Sequence, residues 1–154
     1  MNLLNKTVTV KSMPLVALRV AVGIMFSIAA YAKVSAGSSW PDRMVGFLNF
    51  QKNTGEFYQS FVTNVVIPNK ALFGYATMVG EVVVAISLVF GLFSRAGALI
   101  GAFMVANFLL AKGTAFWMPS ANDPMYILIL LFLALVPSSK TWGLDYYIAK
   151  YRVK

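Results

Sequence analysis

Four apolar runs, separated by one long and two short polar intervals, set the plan of this 154-residue chain. They cover residues 14–34, 71–93, 96–112 and 124–137, and all except the last are long enough to cross a bilayer core as helices. Pro14 suits the first turn of the first run. Between the second and third runs only Ser94-Arg95 remains, which leaves room for a tight turn and requires an antiparallel hairpin. The fourth run ends at Pro137; Asn122 or Asp123 can cap it, and Pro124 fits its first turn. The pattern predicts an all-α fold: a single membrane domain over residues 1–154, built as an integral membrane antiparallel four-helix bundle.

The polar intervals carry their own pattern. Residues 33–70 are too long for an idle connection between two helices. Within them, residues 41–50 and 55–68 mix polar and apolar positions, and Phe57, Phe61 and Val65 recur at helical spacing. These segments are too short and polar to cross, so the long first loop is expected to carry short interfacial helices. Phe116 and Trp117 follow the third run at the depth of an aromatic belt. The tail brings Trp142, Tyr146, Tyr147 and Ile148 onto a basic amphipathic stretch expected to lie along the membrane surface. Residues 1–13, with Lys6 and Lys11, form a basic flank. Ala30-Tyr31-Ala32 has the form of a signal cleavage site, but Arg19 interrupts the preceding apolar run and favours a retained span.

Composition supports the membrane as solvent: apolar residues make up 59% and charged residues 12%, with a mean hydropathy of +0.73. The net charge of +8 is spread singly near segment ends, which fits the positive-inside rule better than a nucleic-acid partner. With four spans, Lys6, Lys11, Arg95, Lys140, Lys150, Arg152 and Lys154 share one side with Asp145 alone; the other side holds fewer cations and more acids. Both termini are therefore expected to be cytoplasmic. The chain has no cysteine and no histidine. That excludes disulfides, thiol chemistry, His- or Cys-held haem, iron–sulfur clusters and Cys/His zinc sites. Five carboxylates in all make a carboxylate-rich metal site improbable, so no intrinsic metal or cofactor is expected.

One acid stands out. Glu81 lies ten residues into its span, about 15 Å deep, where an ionisable group needs a partner or a water-lined cavity. Arg19, about 7.5 Å from the opposite boundary, is its expected partner, since two long side chains leaning together would close the axial gap of roughly 8 Å. The plainer alternative has Arg19 snorkelling to the interface and Glu81 protonated within the bundle. Gly97 and Gly101 form a G-x-x-x-G pair, read as close packing inside the chain. Ser27, Ser87 and Asn107 need nothing beyond hydrogen bonds in the bundle.

Together these residues carry a likeness. Leu18-Arg19, Gly23, Phe26, Lys33, Gly80-Glu81, Gly91-Leu92-Phe93-Ser94-Arg95 and Gly143-Leu144-Asp145, in this order and spacing, resemble the DoxX/DoxD family. The long first loop with Ser39-Trp40-Pro41 is similar to the DoxD type, the small membrane subunit of thiosulfate:quinone oxidoreductase. The resemblance spans residues 15–148. It implies a four-helix protein of a prokaryotic cytoplasmic membrane, associated with quinone-linked oxidation of reduced sulfur or with other membrane redox complexes.

Two functions follow as expectations. The first is a non-catalytic accessory subunit, surrounded by lipids and packed against other membrane subunits of a larger redox complex. The lack of redox ligands and the aromatic loops and tail motivate it. The alternative is a quinone-binding subunit of the thiosulfate:quinone type. There Arg19 and Lys33 would polarise the quinone carbonyls, Glu81 would exchange protons as the one candidate catalytic group, and Tyr75 or Phe26 would flank the ring. A small transporter built on Glu81 is a third, weaker reading, because no pair of broken helices accompanies it.

Overall fold

The computed structural model describes residues 3–50, 55–113, 122–136 and 142–152, and every regular element in them is helical. Phe116, Trp117 and Pro137 lie outside the described residues. Among the described residues, seven α-helices follow one another: α1 Leu3–Ala36, α2 Trp40–Phe50, α3 Glu56–Phe61, α4 Lys70–Phe90, α5 Ser94–Lys112, α6 Asp123–Leu135 and α7 Leu144–Arg152. A 3-10 turn, Gly37–Ser39, joins α1 to α2, and a π-helical stretch, Val62–Val66, extends α3.

Among the described residues, three stretches are long and apolar enough to cross a membrane: Met13–Asn49, Lys70–Phe90 and Ser94–Lys112. The shorter Asp123–Leu135 is as apolar but has only 13 residues. Pro14 does not open a helix as the spacing predicts. It sits inside α1, which starts at Leu3, because the weakly polar residues ahead of it contain no helix breaker.

Helices α1 and α4 pack side by side and antiparallel, as two levels show: Gly23 lies against Leu88 and Val89, and Lys33 meets Glu81. Helices α5 and α6 are likewise antiparallel. Lys112 pairs with Asp123 at one end of the two helices, and Arg95 Nε donates to the Ala134 carbonyl at the other, 2.9 Å away. Between the pairs, Val22, Phe26, Val84, Leu88, Ala98, Ala102, Val105, Leu130 and Leu133 form one buried core. The G-x-x-x-G pair belongs to it. A side chain on Gly97 would run into Ser87, and Gly101 faces Leu130, Val84 and Phe26, so both glycines are used for packing within the chain.

The long first loop folds over its own bundle. Met44, Val62 and Val66 form a second core with Trp40, Leu48, Tyr58, Phe61 and Phe73, and Trp40 Nε1 donates to the Gly74 carbonyl at 3.0 Å. The buried stripe matches the expected one only in part. Phe61 packs in this core, but Phe57 is 88% exposed and Val65 39%, whereas Val62 and Val66 are buried. The π-helical stretch changes the period of the helix between Phe61 and Val65.

Candidate functional site

The polar residues that the sequence singles out gather into two separate clusters. Towards the end of the bundle covered by the long loop, Lys33 Nζ donates to both carboxylate oxygens of Glu81, at 2.7 and 2.6 Å. Glu81 is 2% exposed, and the Lys33 side chain 14%. The ammonium also lies over the Trp40 ring, 4.8 Å from its centroid, with Phe108 at 5.9 Å. Desolvation makes such cation–π contacts worth about 1–2 kcal/mol. Tyr58, which donates to the Asn107 carbonyl at 3.2 Å, ties α3 to α5 beside Phe108; burial pushes its phenol above the usual range and keeps it a neutral donor.

The expected Arg19–Glu81 contact is therefore corrected: the partner of Glu81 is Lys33. The reason lies in helix geometry. Every Cα–Cβ bond tilts towards the N-terminus of its own helix. On antiparallel neighbours, Lys33 near the end of α1 and Glu81 in the middle of α4 therefore lean towards each other. Arg19 leans the opposite way, towards the turn between α4 and α5. Gly23 lies level with Leu88 and Val89, so Arg19 stands about eleven residues, roughly 17 Å, along the seam from Glu81 and not the expected ~8 Å, beyond the reach of the two side chains.

Arg19 forms the second cluster. It is 3% exposed and donates from a terminal nitrogen to the Trp142 carbonyl at 2.8 Å. The same nitrogen approaches Gly91 so closely that a Cβ there would stand 2.7 Å away, and it also borders Gly143. Gly91 ends α4 at φ 68°, a conformation that glycine adopts without strain. Two further bonds lash the tail to this turn: the Phe93 amide donates to Asp145 Oδ1 at 2.9 Å, and the Asp145 amide donates to the Gly91 carbonyl at 3.2 Å. Ser87 Oγ closes the turn from within by donating to the Leu92 carbonyl at 2.7 Å. Among the described residues, Arg19 Nε and Ser94 Oγ are buried without a partner.

Of the quinone candidates, Lys33 and Glu81 come together, while Arg19 belongs to the other cluster. Tyr75 is 41% exposed and Phe26 lies in the apolar core. An open groove of about 400 Å³ runs between α1 and α4, but its walls are Ser27, Ala30, Tyr31, Val34 and the apolar side chains of α4; none of Arg19, Lys33, Glu81 or Tyr75 lines it. Ser27 already donates to the Gly23 carbonyl. The Lys33–Glu81 contact was open to sequence reasoning, since both residues face the α1–α4 seam and the tilt rule selects Lys33. No local signal marks the tail as the partner of Arg19, because Trp142 lends a backbone carbonyl.

Comparison with curated proteins and with solved structures gave no match. The family model described as DoxX matches residues 15–117. That range holds Arg19, Lys33, Glu81 and the whole Gly91-Leu92-Phe93-Ser94-Arg95 turn. The match covers more than half of the chain, which belongs to the DoxX family.

Proposed function

We propose that this membrane protein is a non-catalytic accessory subunit of a larger membrane redox complex, and that its intramembrane charges serve its own architecture. The observation that carries this reading is the saturation of Glu81: both its oxygens accept from one buried ammonium, beneath Trp40 and Phe108. A proton-exchanging carboxylate needs a route to a substrate or to water. What supports the architectural reading is that Glu81 is paired with an ammonium which two aromatic rings face. Arg19 is spent in the same way on the tail.

In this reading α6 is the fourth span of an antiparallel bundle, its two ends fixed to α5 by Lys112–Asp123 and Arg95–Ala134, and both termini face the cytoplasm. The apolar groove and the exposed faces of α1 and α4 offer lipids and neighbouring subunits a surface for contact.

The test is purification from native membranes in mild detergent, with mass spectrometry of the intact assembly, for the natural chain and for Glu81→Gln. The natural chain is expected within a larger complex whose other subunits carry the redox centres. Glu81→Gln is expected to lower the yield or melting temperature of that complex while turnover per assembled complex stays unchanged. Isolation as a lone, active quinone reductase that Glu81→Gln silences at full stability would overturn the proposal in favour of the quinone-binding alternative of the thiosulfate:quinone type.

A further inference from the structure

The three bonds that lash the tail to the α4–α5 turn also fix where α7 lies. That turn joins two helices that are long and apolar enough to cross a membrane. A helix held to it by the Phe93 amide, the Gly91 carbonyl and Arg19 starts at the level of the bilayer boundary. Leu144, Tyr147 and Ile148 stand at i, i+3 and i+4, on one face of α7, and are 44%, 55% and 45% exposed. Trp142, 53% exposed, precedes them, and Phe93, 72% exposed, projects from the turn itself. Phe93 has a φ of 48°, strained for an aromatic residue. Aromatic and aliphatic side chains gathered at this depth are what a headgroup boundary accommodates.

Charge selects the lipid. Arg95 and Lys150 are exposed, and Arg152 ends α7. The one acid in the turn and tail, Asp145, is already engaged by the Phe93 amide. By sequence the turn and tail carry Arg95, Lys140, Lys150, Arg152 and Lys154 against Asp145 alone, a net positive charge. We propose that α7 and Phe93 form an interfacial foot that binds anionic phospholipid headgroups, with its apolar face sunk among the upper acyl chains. The assignment is independent of whether the chain is an accessory subunit.

The chain has no cysteine, so a single Ile148→Cys can carry a nitroxide label on the full-length protein in nanodiscs of phosphatidylcholine, with or without phosphatidylglycerol. The label is expected to be relaxed by oxygen and shielded from a water-soluble nickel chelate. In mixed discs, native mass spectrometry is expected to show retained phosphatidylglycerol in preference to phosphatidylcholine. Lys150→Gln and Arg152→Gln, in the last turn of α7, should each cut that preference about fivefold, the equivalent of ~1 kcal/mol per cation at an anionic surface. A label open to the nickel chelate in both lipids would overturn the proposal, as would equal retention of the two lipids. A label shielded from both reagents would also overturn it, by placing a second copy or another protein on this face.

Discussion

The two polar clusters differ in what they join. Lys33–Glu81 links side chain to side chain across adjacent helices, under a lid made by the loop. Arg19 links a side chain to backbone, across nearly the whole sequence, at a turn where glycines make room for it. The first costs two desolvated charges and is recovered only while both are present. The second satisfies a carbonyl at a helix boundary and holds the tail in place. The lesson is that one buried cation is matched by a charge and the other by the chain itself, so identical substitutions should fail differently.

The largest effect is expected at the ion pair. Lys33→Met leaves the Glu81 carboxylate buried and alone, and should lower stability by about 3–5 kcal/mol, read as a fall in melting temperature in detergent. Lys33→Met with Glu81→Leu should recover most of the loss. A double variant no better than the single would show that the pair does more than neutralise itself.

Next in size is Arg19→Ala. Loss of one charge-assisted hydrogen bond and of packing against Gly91 and Gly143 should cost about 2 kcal/mol. Hydrogen exchange should speed up in α7 and at the α4–α5 turn while the Trp40 lid keeps its protection; Lys33→Met should do the reverse. If the two variants loosen the same segments, the clusters are one unit, and their combined effect should depart from additivity by more than about 0.5 kcal/mol.

The smallest effect is expected at Tyr75, which belongs to neither cluster. Tyr75→Phe should change stability by less than about 0.5 kcal/mol and leave assembly unchanged. A substantial loss of complex activity in this variant would revive the quinone-binding alternative.

Much of the fold was legible because apolar run length and turn chemistry act locally. The α4–α5 hairpin, the packing role of Gly97 and Gly101, and short helices in the long loop all follow from neighbouring residues, although the turn falls at residues 91–93 and Ser94-Arg95 already open α5. The loop's buried face was not legible, because Phe57 and Val62 lie on different sides of one helix that tertiary contact alone orients. In the site, the need of Glu81 for a cation could be read from its depth. Which cation required the direction of Cβ on antiparallel helices as well as the axial distance. The tail's hold on Arg19 depends on a main-chain carbonyl, which leaves no mark in side-chain chemistry.

That hold also has a bearing on time. Trp142 follows Arg19 by 123 positions, so at translation rates of about 5–20 residues per second the acceptor emerges roughly six to twenty-five seconds after its donor. For that interval the first span carries a cation without its final acceptor. The segment that leads into α7 therefore completes the first helix, and this contact closes only once both have been made.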